Sequence, residues 1–311
     1  MAESQNTMTR QQIIDRLQGI FLPIITPFDR RGEIDLGLFR ENLGRYVGIG
    51  LSGIVIAGST GEAPFLTERE RLRLLEVARR FVRPPELLIA STGLESTLLT
   101  LRLSREAVAR GADALLVITP NYYKSRMDSS ALAAHFKTLA DGLRRPIIIY
   151  NIPQFTGIRM DSDAIGKLSR YPNIAGLKDS SGDLAYVRTI LRRVRPAFRV
   201  LVGAPPILVD ALRAGAVGGV LGQSGFVPKI CLAVYEAFRK GRMKTARDLQ
   251  ARLTLLAQKI AVPYGIPGVK AAVDLCGYAG GPPRPPLLPL TVPACRAVAA
   301  ALREARAGLE L

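Results

Sequence analysis

Eight short apolar runs rich in β-branched residues recur along the chain, at 21–26, 53–58, 87–92, 114–119, 146–150, 174–178, 200–203 and 217–221. Within each run the apolar side chains do not alternate with polar ones, the pattern of a strand covered on both faces. The segments between them carry helical periodicity. The stretch 68–81 places Leu72, Leu75, Val77 and Ala78 on one face, and further helices are predicted over 98–110, 131–143, 161–171, 184–194 and 206–214. Several start at a capping residue and stop at glycine, as Thr67 does before Glu68 and Gly111 after Arg110. Eight strand–helix repeats predict a (β/α)8 TIM barrel. The competing doubly wound sheet would place Gly-x-Gly-x-x-Gly after a strand, and no run is followed by one. The rest of the chain is helical in pattern apart from a Pro/Gly-rich stretch at 277–289. The expected organisation is therefore a catalytic barrel over 1–228 and a C-terminal helical extension over 229–311 docked on it.

Composition narrows the field. Of the 311 residues 48% are hydrophobic, enough for a large core, and 22% are charged, as in an ordinary globular protein. No apolar run is long enough to span a membrane, and the N-terminal 19 residues are polar and helix-like with no secretory core, so a cytoplasmic location is expected. The three cysteines, Cys231, Cys276 and Cys295, are odd in number and far apart, which argues against a disulfide framework or a thiolate metal site. His135 is the only histidine, so a zinc site with two histidine ligands is ruled out. The formal net charge of +17 raises nucleic-acid binding. Its arginines, however, are spaced as solvated helix faces would be (Arg69, Arg71, Arg73, Arg79, Arg80, Arg83), without interleaved aromatics or a basic tail. Neither a nucleic-acid nor a membrane partner is expected, and the positive field suits an anionic substrate.

In a barrel of this kind the active site lies at the C-terminal ends of the strands. The polar residues there form a set: Thr26 after the first strand, Ser59 and Thr60 after the second, Tyr122 and Tyr123 after the fourth, Tyr150 and Asn151 at the fifth, Lys178 at the sixth, Gln223 and Ser224 after the eighth. A lysine amine facing a ligand pocket can attack a ketone and form a Schiff base. A tyrosine beside it can both donate and accept the protons that this step moves. The glycine-flanked Ser59 and Thr60 offer hydroxyls and N–H groups to a carboxylate. Alone, each has a structural reading: a snorkelling lysine, a packed tyrosine, a Ser/Thr turn.

Three segments, Gly58-Ser59-Thr60-Gly61-Glu62, Tyr150-Asn151-Ile152-Pro153 and Gly176-Leu177-Lys178-Asp179, resemble the dihydrodipicolinate synthase/N-acetylneuraminate lyase family, over nearly the whole chain. The resemblance implies a (β/α)8 barrel with a C-terminal helical domain and class I aldolase or lyase chemistry on pyruvate and other 2-oxo acids, with no metal or other cofactor. It implies Lys178 as the Schiff-base residue and Tyr150 as the acid/base beside it. Thr60 would link Tyr150 to a second tyrosine, best matched by Tyr122 with Tyr123 as the fallback, which reaches into a neighbouring subunit. Ser59 and Thr60 would cradle the pyruvyl carboxylate, and the Leu221 carbonyl would face the site. Ser180, two residues past Lys178, would contact the distal end of the substrate or simply act as a loop N-cap. The resemblance also implies a homotetramer built from tight dimers.

The distal half of the substrate follows neither of the two best-known family members. Members that make dihydrodipicolinate carry an arginine two residues after Tyr-Asn-x-Pro, and here Gln154 and Phe155 follow Pro153. Sialic acid lyases carry acids after the seventh strand, where this chain reads Gly203-Ala204-Pro205-Pro206. Residues 63–67, 94–97, 122–127, 265–268 and 277–282 are similar to the 4-hydroxy-2-oxoglutarate aldolase branch, although Thr60 stands where that branch carries asparagine. Cleavage of 4-hydroxy-2-oxoglutarate to pyruvate and glyoxylate is thus the first expectation. Condensation of pyruvate with aspartate semialdehyde is the second, and a non-catalytic 2-oxo-acid-binding scaffold is the alternative of another class.

Overall fold

The computed structural model describes residues 8–309. Eight parallel strands close into a barrel, each pairing with the next and the last with the first. They are β1 (Gly19–Pro23), β2 (Gly53–Ile56), β3 (Leu87–Ser91), β4 (Ala114–Ile118), β5 (Ile147–Asn151), β6 (Ile174–Asp179), β7 (Arg199–Val202) and β8 (Gly218–Val220). All eight runs expected from the sequence are strands, and the (β/α)8 barrel with helices beyond it is what the chain adopts.

Helix α1 (Arg10–Arg16) precedes the barrel behind a Thr9–Gln12 capping box. Around the barrel run α2 (Leu36–Tyr46), α3 (Glu68–Arg79), α4 (Thr97–Ala109), α5 (Ser129–Gly142), the short α6 (Pro153–Thr156), α7 (Ser162–Leu168), α8 (Leu184–Arg193) and α9 (Leu208–Ala214). After β8 come α10 (Pro228–Arg239), α11 (Met243–Leu256), α12 (Val262–Leu275) and α13 (Val292–Arg306). Helix α10 packs on β1 and α9, and α11 packs along α10 and α13. Gly265 (φ 55°, ψ −142°) kinks α12 just ahead of Pro267.

Sequence periodicity did not indicate α2. It buries Phe39, Asn42, Leu43 and Tyr46, a clear one-face spacing, behind an Asp35 cap. Gly37 and Gly44 lie inside it and weaken its propensity, so tertiary packing, not local preference, makes this helix.

Apolar side chains fill two shells. One, with Ile54, Leu88, Leu115, Ile149 and Leu177, lies between the barrel and its helices. The other fills the barrel: Phe21, Val55, Ile89, Leu116, Ile148, Tyr150, Leu201 and Val220 meet Ile13, Ile14 and Leu17 of α1. Alternation along β5 is regular, with Ile148 and Tyr150 inward and Ile147 and Ile149 outward. On β6 the register slips: Ile147 pairs with Ile174 but Ile148 with Gly176, so Ala175 is an extra residue. A one-residue slip exchanges the faces of everything beyond it. Leu177 therefore faces the helices and Lys178 faces the interior, opposite Tyr150. Glycine is required beside the slip, because a Cβ at Gly176 would lie 2.3 Å from the Arg199 carbonyl oxygen.

One charge expectation changes. Arg71 is not on a solvated face: it is 8% exposed and donates to the carbonyls of Ala63 (2.7 Å) and Gly93 (3.3 Å). His135, the lone histidine, bonds Thr97 Oγ1 at 2.8 Å between α4 and α5, and burial lowers its pKa to about 4. The three cysteines are free thiols. Among the described residues no helix is long and apolar enough to cross a membrane.

Candidate active site

Lys178 ends the inward row of β6 and is 4% exposed. Its Nζ lies 4.0 Å from the centroid of the Tyr150 ring. Tyr150, its partner across the ladder, is 2% exposed. The Tyr150 hydroxyl is 3.3 Å from Ser59 Oγ. An amine and a phenol from two neighbouring strands and a serine hydroxyl from the turn after β2 are thus brought together in the barrel mouth.

Ser59 opens a 3-10 turn, Ser59–Gly61, that replaces the end of β2. The N–H groups of Gly61 and Glu62 bond back to Gly58 and Ser59, whereas those of Ser59 and Thr60, which open the turn, have no partner within it. Two non-glycine residues with positive φ bracket it, Ala57 (54°) and Glu62 (59°). Each costs about 1–2 kcal/mol relative to a right-handed backbone, so surrounding contacts must hold the turn in place. The geometry corrects one expectation. The hydroxyl that meets Tyr150 belongs to Ser59, not to Thr60, whose Oγ1 lies toward Gly222, 3.8 Å from where a Cβ there would stand. Adjacent residues of a tight turn point in different directions, and sequence order alone could not separate them.

Asn151 and Asp179, opposite each other one residue further along β5 and β6, brace this end of the sheet. Asn151 Nδ2 donates to Asp179 Oδ1 at 2.7 Å, and its Oδ1 accepts the Met160 N–H at 3.1 Å. Asp179 also accepts the Ser181 hydroxyl at 2.6 Å. Burial raises the Asp179 pKa, and the hydrogen bonds from Ser181 and Asn151 oppose the rise. Sequence reasoning gave neither residue a role, since their pairing depends on the strand register.

Ser180 is buried beside Lys178, and its carbonyl accepts Gln154 Nε2 at 2.6 Å. The cap of α8 is Asp183, which accepts the Tyr186 N–H, so Ser180 is not a helix cap. Gly203 supplies the room for it: a Cβ there would lie 2.0 Å from Ser180 Oγ and 3.3 Å from Lys178 Cε. The Leu221 carbonyl is tied into its own turn. It accepts both the N–H (3.0 Å) and the hydroxyl (2.6 Å) of Ser224, because the Gly222–Gly225 turn folds back on it. Tyr122 also stays out of this group. Glu95 fixes its loop by accepting the N–H groups of Asn121 and Tyr122, both at 2.8 Å, and the Tyr122 side chain is 76% exposed. Tyr123 is 70% exposed, edge-on to Tyr122 at 5.1 Å. Phe155, in the position where a carboxylate-binding arginine would stand, is 63% exposed. Among the described residues no three His, Cys, Asp or Glu side chains gather as a metal-binding group.

Comparison with known proteins places similar chains beside this one. The profile of the dihydrodipicolinate synthetase family matches residues 16–305. A 4-hydroxy-tetrahydrodipicolinate synthase from Methanopyrus kandleri is 35% identical over 275 residues, covering 88% of this chain and 91% of that protein. A probable mitochondrial 4-hydroxy-2-oxoglutarate aldolase from Emericella nidulans is 32% identical over 293 residues, covering 92% and 93%. An Escherichia coli K12 prophage protein of the dihydrodipicolinic acid synthase family, solved in complex with pyruvate, superposes with a TM-score of 0.87 at 27% identity over 93% of this chain and 98% of that one.

Proposed function

The chain belongs to the dihydrodipicolinate synthetase family, and from that membership we propose that Lys178, Tyr150 and Ser59 form its catalytic centre. The enzyme is a pyruvate-dependent carbon–carbon lyase of the Schiff-base class. The observation that carries the site is the Lys178 amine 4.0 Å from the Tyr150 ring, with the Tyr150 hydroxyl 3.3 Å from Ser59.

In this reading the unprotonated Lys178 amine adds to C2 of the 2-oxo acid. Tyr150 delivers a proton to the carbinolamine hydroxyl, water leaves, and an iminium forms. The iminium withdraws electrons from C3, so losing a C3 proton gives an enamine. In condensation the enamine carbon attacks the aldehyde carbonyl, a C–C bond forms and the new alkoxide takes a proton. Cleavage is the reverse, and hydrolysis of the imine frees pyruvate and Lys178. Ser59 passes protons to and from Tyr150. The N–H groups of Ser59 and Thr60, with the Thr60 hydroxyl, hold the pyruvyl carboxylate, and Ser180 lies toward the distal end. The covalent imine stands in place of any cofactor.

For the aldehyde half, the first reading is condensation with aspartate semialdehyde, supported by the synthase names of most of the similar proteins. This reverses the order that the sequence motifs suggested. Cleavage of 4-hydroxy-2-oxoglutarate is the second reading, favoured by one observation: Phe155, exposed and apolar, cannot grip a carboxylate as a guanidinium does. A side-by-side assay decides between them. Condensation of pyruvate with aspartate semialdehyde should exceed pyruvate release from 4-hydroxy-2-oxoglutarate in kcat/KM by about tenfold or more, about 1.4 kcal/mol of discrimination. The opposite ratio would hand the site to the aldolase reading.

The proposed assembly is a homotetramer of tight dimers, in which the exposed Tyr122 reaches the relay of a neighbouring copy. Light scattering of a monomer at assay concentration, with full activity, would remove Tyr122 from the relay.

A further inference from the structure

A buried ion pair fastens the C-terminal helices to the turn that carries Ser59. Lys270 of α12 and Glu62 have side chains that are each 1% exposed, with Lys270 Nζ 2.7 Å from Glu62 Oε1. The same Nζ donates to the Thr26 carbonyl at 2.8 Å, and Thr26 Oγ1 donates to the Gly61 carbonyl at 2.8 Å. The other carboxylate oxygen of Glu62 accepts the N–H of Arg284 at 2.9 Å. The Arg284 guanidinium in turn bonds the carbonyls of Phe65 (2.6 Å) and Gly32 (2.8 Å). Phe28 lies beneath both cations, 4.6 Å from Lys270 Nζ and 4.4 Å from Arg284 Cζ. Residues separated by 208 positions thus converge on the two residues that follow Thr60.

Stability alone is a poor account of this arrangement. A buried ion pair gives little net stabilisation over apolar side chains of similar volume. Glu62 also holds a left-handed backbone that glycine or asparagine would adopt more readily, so a glutamate there is explained by where its carboxylate goes. The bonds it makes fix the end of the 3-10 turn, and a three-residue turn fixed at its end has little freedom at its start. We propose that Glu62 and Lys270 are positioning residues that hold the Ser59 hydroxyl against Tyr150, making the C-terminal helical region part of the proton relay. The inference rests on the Schiff-base reading above.

The test removes both charges together, because removing one leaves the other buried and unpaired. Glu62→Gln/Lys270→Met is compared with the wild-type enzyme in melting temperature, in steady-state turnover and in the borohydride-trapped pyruvate adduct on Lys178. The expected result is a folded protein that still forms the full adduct at equilibrium but turns over about 10- to 100-fold more slowly, the scale of a displacement remote from the chemistry. Adding Ser59→Ala to the double variant should then cost little more, since the two changes disable the same relay. Wild-type turnover in the folded double variant, or a full additive loss from Ser59→Ala, would overturn the inference. If the double variant does not fold, Glu62→Gln/Lys270→Leu, which also removes both charges, is read by the same two criteria. A wild-type enzyme that yields no adduct would instead overturn the Schiff-base reading.

Discussion

Lys178→Ala is expected to abolish turnover. An amine held in the barrel mouth replaces an encounter with free amine, and its loss forfeits an effective molarity on the order of 10⁵ M or more. No second lysine can take its place: Lys270, the other buried lysine, is bound to Glu62 and the Thr26 carbonyl. The truncation also leaves space rather than an unpaired charge, so the variant should fold. Steady-state kinetics with circular dichroism checks both halves. Turnover within about tenfold of wild type would remove Lys178 from the chemistry.

Tyr150→Phe should lower kcat by about 10²- to 10⁴-fold, the usual contribution of a placed proton donor. The ring stays, so the packing over Lys178 and the interior contacts of Tyr150 are retained. What is lost is the hydroxyl 3.3 Å from Ser59. Because the lesion is in proton transfer and not in the amine, the variant should still accumulate trapped imine, only more slowly. Pre-steady-state trapping against time separates the two. An unchanged rate of imine formation with unchanged kcat would place the proton carrier elsewhere.

What the sequence revealed and what it hid follow from the range of the interactions. The strands and the strand-end positions of Lys178 and Tyr150 were legible because apolar runs and their polar ends are local signals. The inward direction of Lys178 depends on the extra residue Ala175, which shows only in the pairing of β6 with β5. Ser59 rather than Thr60 meets the Tyr150 hydroxyl because a tight turn, not sequence order, aims the two hydroxyls. The exposure of Tyr122 and the bonds from Ser224 to the Leu221 carbonyl are set by loop contacts, with Glu95 and within the 222–225 turn, that no local signal announces. Helix α2 was hidden by its two glycines. Lys270 stood unnoticed in the apolar run Gly268-Val269-Lys270-Ala271-Ala272, where a snorkelling lysine and a buried one look alike until Glu62 is brought beside it.

The central claim is that a covalent imine forms on Lys178. Incubation with pyruvate followed by borohydride, then peptide mass mapping, tests it directly. The account predicts one reduced pyruvyl adduct per chain, on the peptide containing Lys178 and absent from Lys178→Ala. An unmodified chain in an active preparation, or an adduct on another lysine, would contradict it.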